Sequence, residues 1–237
     1  MPFISQAVEK TVTKRISLPY LLYLPPGFEQ EADRKWPLVI FLHGAGERGS
    51  DLALVTRQGM ARLVQQGRDF PFIMAAPQCP PDCTWDRKLD ELDCLLEEII
   101  QKYPVQTEQI YLTGLSMGGY GTWHWAARHP RAFAALVPIC GGAMPLTGFP
   151  ERAAVLKEVP IWAFHGEDDQ IVPVQRSAEL VQVLEDLDAP VRFTRYKGVG
   201  HNAWNRAYAE PALFDWLLAQ KNTGFSLEKR ELCEQRD

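Results

Sequence analysis

Along the chain, short and almost wholly apolar runs alternate with longer segments whose apolar residues recur every three to four positions. The short runs are YLLYL (20–24), PLVIFLH (37–43), FIMAAP (72–77), QIYLTG (109–114), ALVPIC (135–140), PIWAFHG (160–166) and VRFTRYKG (191–198). Their β-branched and aromatic content, and the Gly, Pro or polar clusters around them, read as strands. KTVTKRI (10–16) alternates polar and apolar like an edge strand, which brings the expected strand count to eight. KLDELDCLLEEIIQKY (88–103) is the clearest helix, with Leu89, Leu92, Leu95, Leu96 and Ile99 on one face. Further helices are expected over SMGGYGTWHWAARHP (116–130, stopping at Pro130), VPVQRSAELVQVLEDL (172–187, starting at Pro173) and AYAEPALFDWLLAQ (207–220). Strands alternating with helices imply right-handed crossovers and a mostly parallel sheet covered on both faces. The first two strands are joined too closely for a helix, so an antiparallel opening is expected. Residues 1–221 read as one α/β domain and 222–237 as a loose polar tail.

Composition changes this picture little. With 237 residues, 46% apolar and 23% charged, the chain can bury a sizeable core without staples. A net charge of −5 offers nothing to nucleic acid or to an anionic membrane, so neither is expected as a partner. No run approaches the roughly 18 apolar residues a membrane helix needs. Five cysteines (79, 83, 94, 140 and 233) form no C-x-x-C pair, and no second close pair or histidine cluster suggests zinc; no metal site is read. Cys79 and Cys83, in QCPPDC, are read as a reduced loop, with a local disulfide as the alternative. The N-terminus lacks a basic region leading into an apolar run, so no signal peptide is read. The expected compartment is a reducing cytoplasm, unless a leader has been trimmed.

Candidate chemistry gathers around TGLSMGGYGTWHWA, where Gly114-Leu115-Ser116-Met117-Gly118 forms G-x-S-x-G between an expected strand and an expected helix. Such a turn pushes the serine hydroxyl out above the sheet, and the residues two before and two after it are squeezed together. The helix that follows presents free amides and a positive dipole end to an oxyanion. A passive serine in a glycine-rich turn is the competing reading. A serine alcohol needs a histidine to take its proton and a carboxylate to orient that histidine. When the order is Ser, then acid, then His, His43 comes too early and is read as structural. His124 and His129 lie on the helix behind the serine, and their spacing also spoils a metal pair. His165 ends a strand. His201, in YKGVGHNAW, follows the last strand and has room for an acid upstream, so it is the base. The acid lies among Glu167, Asp168 and Asp169 in HGEDDQIVP. Oxyanion amides are expected at Met117 and, in LHGAGERGSD, at Ala45, with Gly46 as the fallback; Glu47 and Arg48 there either pair or face water.

LHGAGERGSD, GLSMGGYGTW, HGEDDQIVP and GHNAW together resemble the phospholipase/carboxylesterase branch of the α/β-hydrolases, similar to dienelactone-hydrolase-like, polyhydroxybutyrate-depolymerase-like and feruloyl-esterase-like proteins. The match runs from roughly Leu18 to Leu218. Its H-G-x-x-D-x-x-V-P pattern resembles the acid loop of many α/β-hydrolases and puts the carboxylate at Asp169. The resemblance implies an α/β-hydrolase sheet, a Ser116-His201-Asp169 triad, no cofactor, and ester hydrolysis through an acyl-enzyme. Only about 20 residues separate Gly141 from Pro160, too few for a helical cap, so an open site taking small to medium soluble esters is expected. Trp85 and Trp204 are candidate walls of the substrate pocket, with packing as the alternative for each. Trp123 and Trp125 are read as core. A peptidase, an esterase acting on polysaccharide-linked feruloyl or acetyl groups, and a non-catalytic binding protein are the other functions this scaffold permits.

Overall fold

A computed structural model describes residues 4–227, apart from positions 12, 32, 145 and 146. Seven strands form one sheet in the order β1-β3-β2-β4-β5-β6-β7. They are β1 (Tyr20–Tyr23), β2 (Trp36–Leu42), β3 (Ile73–Pro77), β4 (Val105–Leu115), β5 (Ala135–Ile139), β6 (Ile161–Gly166) and β7 (Val191–Tyr196). Each falls within or around one of the seven apolar runs. The alternating run 10–16 makes no strand among its described residues, so the described residues form a sheet of seven strands where eight were expected. The antiparallel member is also differently placed. β1 pairs antiparallel with β3, which follows it by about fifty residues, while every other pairing is parallel.

The period-two geometry of a strand sends alternate side chains to opposite faces. Leu38, Ile40 and Leu42 of β2 enter one core layer, with Ile110 and Leu112 of β4. Val39 and Phe41 enter the other, with Tyr111. The first layer is covered by α2 (Leu89–Lys102), α3 (Met117–Arg128) and α4 (Gln175–Glu185). The second is covered by α1 (Gly59–Gln65), α5 (Trp204–Ala207) and α6 (Pro211–Ala219). Leu92, Leu95, Leu96 and Ile99 of α2 are all buried, the stripe its periodicity predicts. Burying each such side chain contributes about 1.5–3 kcal/mol. The single closing helix expected over 207–220 begins instead at Pro211, where the proline suits a first-turn position, and α5 is a separate short turn before it.

Register places the site. Leu42 pairs with Gly114, Leu115 with Ile139, Ile139 with Phe164, and Gly166 with Tyr196. The carboxyl ends of β2, β4, β5, β6 and β7 therefore finish along one edge, and the loops that leave them meet there. The described residues of the segment after β5 (141–160) form no cap. Phe149, Ala153 and Leu156 are buried against the layer built by α3 and α4. The first residues of the expected tail are held to the domain: Asn222 N–H donates to Glu108 O, Ser226 N–H donates to Arg131 O, and Phe225 packs on the core. Its remainder, 228–237, lies outside the described residues.

Candidate active site

β4 ends at Leu115 and α3 begins at Met117, which leaves Ser116 alone in the turn. Its backbone sits at φ 52° and ψ −117°, a conformation a side-chain-bearing residue adopts at a cost on the order of 1–3 kcal/mol. The surroundings hold it there. Ser116 N–H donates to Ile139 O at 2.9 Å, and Tyr120 N–H donates to Ser116 O at 3.1 Å. The flanking glycines are sterically required: a Cβ on Gly114 would overlap the Gly118 carbonyl, and one on Gly118 would overlap the Leu42 carbonyl. This close approach sets the first turn of α3 directly against the loop that leaves β2.

Ser116 Oγ lies 2.8 Å from His201 Nε2, and His201 Nδ1 lies 2.7 Å from Asp169 Oδ2. A carboxylate only accepts, so the imidazole carries its proton on Nδ1 and turns a lone pair toward the Ser116 hydroxyl. Asp169 Oδ1 accepts from the N–H groups of Ile171 and Val172, both at 2.9 Å. Burial pushes the Asp169 carboxyl up, but His201 and these two amides outweigh it and hold its pKa below the usual carboxylate value. The group is therefore ionised at neutral pH. Glu167 and Asp168 face solvent, and Glu167 sits 3.9 Å from Arg195. Of the three acids in the loop, the fold brings only Asp169 to the histidine. His201 itself keeps 21% of its side-chain surface, so the site opens to solvent on this side.

The first residues of a helix have amides without intrahelical acceptors, which applies to Met117 at the start of α3. Ala45 opens a short 3₁₀ turn (Ala45–Glu47) and is exposed. That turn packs on the serine elbow, where a Cβ on Gly44 would come within 2.8 Å of Leu115 Cδ1. Arg48 holds the loop through the carbonyls of Ala45 (3.0 Å) and Cys83 (3.4 Å), and Gln78 Nε2 holds it through Glu47 O at 3.0 Å. Arg48 thus bonds to backbone, while the Glu47 carboxyl is buried and its pKa is raised by that burial.

His43 lies beneath this loop. Its Nδ1 donates to Gly44 O at 2.6 Å and its Nε2 accepts from Cys79 N–H at 2.9 Å. Burial lowers its pKa to about 4, so it is a neutral strut. Trp85 is fully buried there and does not wall an open pocket; its indole donates to His43 O at 2.9 Å. Trp204 does reach the site, standing edge-on to the His201 ring at 5.4 Å and 88°, with Nε1 donating to Gln58 Oε1 at 3.2 Å. Trp123 and Trp125 are core.

Three residues in contact with the site are ones sequence reasoning passed over. His165 Nε2 lies 3.2 Å from Asp169 Oδ2. The Cys140 thiol, at the end of β5, donates to His201 O at 3.1 Å and is pushed up to about 12 by burial. Gln58 braces Trp204. The strand-end positions of His165 and Cys140 were visible in the sequence, but nothing there says which loop folds back over a strand end. Among the described residues, Cys140, Asp169 and His201 bring ligand-type atoms within 4.8 Å of one another. Their hydrogen bonds are already spent within the protein, and the thiol stays protonated, which suits a triad with a thiol beneath it better than a cation.

A sequence model of the phospholipase/carboxylesterase family matches residues 84–212, more than half of the chain. Acyl-protein thioesterase 1 of Neurospora crassa is 25% identical over 211 residues, covering 76% of this chain and 85% of the relative. The crystal structure of a thermostable esterase superposes with a TM-score of 0.74 at 36% identity, covering 86% of this chain; the chain spans 59% of that protein's length. The feruloyl esterase module from Clostridium thermocellum, complexed with sinapinate, shares the fold over 95% of this chain and 99% of its own, with a TM-score of 0.64 at 15% identity.

Proposed function

The chain belongs to the phospholipase/carboxylesterase family of α/β-hydrolases, and from that premise we propose a serine carboxylesterase that cleaves small to medium soluble esters through an acyl-enzyme. The observation that carries the reading is the unbroken chain of short contacts that starts at Ser116 Oγ on a strained turn and runs through His201 to the buried Asp169. Ser116 attacks the ester carbonyl carbon while His201 Nε2 takes its proton. Asp169, kept ionised, fixes the ring and offsets the imidazolium charge. The amides of Met117 and Ala45 receive the negative charge that develops on the carbonyl oxygen. His201 then returns its proton to the leaving alkoxide, which departs as the alcohol and leaves Ser116 acylated. Water, deprotonated by the same imidazole, releases the acid. A thioester presents the same carbonyl and a better leaving group, so the chemistry of a relative named acyl-protein thioesterase falls within the reach of this triad. Trp204 forms the wall beside the base, and no cofactor enters any step.

A fluorophosphonate probe with peptide mapping tests the assignment. The phosphonyl group is expected on Ser116 in the native protein and absent after Ser116→Ala or heat denaturation. A native protein that hydrolyses p-nitrophenyl acetate but carries no label on Ser116 would remove the serine from its role.

A further inference from the structure

Asp169 Oδ2 has a second imidazole beside it. His165 closes β6, is fully buried, and makes its own hydrogen bond from Nε2 to Val172 O at 2.9 Å, with Asp169 Oδ2 3.2 Å away. On the other side of the ring, Nδ1 lies 2.8 Å from Ser177 Oγ on α4, and that oxygen lies 2.9 Å from Gly141 O. Gly141 in turn abuts the helix that follows the serine: a Cβ on Gly119 would fall 2.8 Å from Gly141 Cα. The polar chain Ser116–His201–Asp169–His165–Ser177–Gly141 therefore leaves the serine elbow and returns to it.

Two oxygens face Nε2, so a proton must sit there. Burial lowers the His165 pKa and so disfavours a second proton on the ring, while the single hydroxyl proton of Ser177 is directed at Gly141 O. We propose that His165 is a positioning residue for the ester-hydrolysing site, its Nε2–H tuning the carboxylate that tunes His201. The inference rests on the triad reading of Ser116, His201 and Asp169. The positive edge of the His165 ring draws charge on Asp169 toward itself and so weakens the hold of Asp169 on the His201 imidazolium. Removing it lets Asp169 stabilise that imidazolium more strongly, and the acidic limb of the pH–rate profile then moves up. Other titratable or charged groups face the same carboxylate: Cys140 from the end of β5, and Tyr120 from α3, itself facing Arg176 of α4. None of these places a donor on Oδ2.

The amide isosteres separate tuning from packing. An amide nitrogen in His165→Gln can reach the Nε2 position, whereas the shorter side chain of His165→Asn reaches only the Nδ1 position and Ser177. In pH profiles of kcat/KM for p-nitrophenyl acetate, His165→Asn is expected to move the acidic limb upward by roughly half a pH unit, the shift of one ordinary hydrogen bond. His165→Gln is expected to follow the native profile. An Asn profile that superimposes on the native one, whatever the change in Tm, would overturn the proposal. Nitrogen-15 NMR of the native imidazoles gives a second readout if the variants do not fold: a proton on Nε2 of His165 at pH 8 is expected, and one on Nδ1 alone overturns it. Fluorophosphonate labelling of the same samples distinguishes the failures. Unlabelled Ser116 in native protein sinks the triad reading, whereas full labelling with an unmoved profile sinks only the role of His165.

Discussion

His43 shows how the environment of one residue sets a consequence for the whole fold. Its native pKa of about 4 lies below the ordinary 6.5, so it is neutral when folded and binds a proton more readily when unfolded. The stability this contributes is complete above pH 6.5 and is lost as pH falls toward 4, by about 1.4 kcal/mol per unit for one such group. His124 and His165 are shifted the same way by burial and add to the slope. Urea melts between pH 7 and 4.5 should show the midpoint falling steadily, and His43→Gln should flatten that fall. Gly118→Ala makes a harsher test at this scale. Its methyl would overlap the Leu42 carbonyl, so the elbow must open, and esterase activity should drop at least 100-fold even in folded protein. These single residues were unevenly legible in sequence. G-x-S-x-G announced a steric need, and that need is met by the contact of Gly114 with Gly118. Asp169 could be told from Asp168 only by resemblance, because nothing local says which of two adjacent carboxylates turns inward. Trp85 and Trp204 looked alike as loop aromatics, yet one is buried under the loop that leaves β2 and the other stands against His201.

At the scale of elements, α2 and α3 are tied together by two carboxylates, Asp90, which accepts from Arg128 at 2.7 Å, and Asp93. Asp93 accepts from Trp125 Nε1 at 2.7 Å and from His129 Nε2 at 2.9 Å, with Arg128 at 3.1 Å. Asp93→Ala leaves the Trp125 and His129 donors without that acceptor, while Arg128 keeps Asp90, and should cost about 1–3 kcal/mol, read as a lowered denaturant midpoint. The layer is remote from Ser116, so the rate per labelled serine should hold. Elements with a strong period were legible: seven apolar runs became seven strands, and the stripe of α2 is buried as expected. Weak or short ones were not. α1 and α5 are brief, and their pairing with loops is settled by tertiary contacts that leave no period behind. Run 10–16 had the alternation of an edge strand but makes no strand among its described residues; Lys14 from it reaches Glu91 of α2 instead. Alternation reports that one face can be buried, not that a neighbour exists.

Across the whole molecule, aligned strand ends gather loops from five strands into one site, and Phe149, Ala153 and Leu156 of the segment after β5 pack sideways onto the helices. Among the described residues no helix is long and apolar enough to cross a membrane. A site that its described surroundings leave open at His201 needs no interface to open it. Hydrolysis of p-nitrophenyl esters should therefore favour short acyl chains, and the rate should rise smoothly, without a jump, as a long-chain ester passes its solubility limit. A jump there would mean that some segment closes over Ser116. The central claim is the role of that serine, and steady-state kcat/KM for p-nitrophenyl acetate in native protein and in Ser116→Ala tests it most directly. A loss of about 10³-fold or more is expected in a variant that melts like the native protein, since the three groups act as a unit. A variant that keeps its activity would contradict the account.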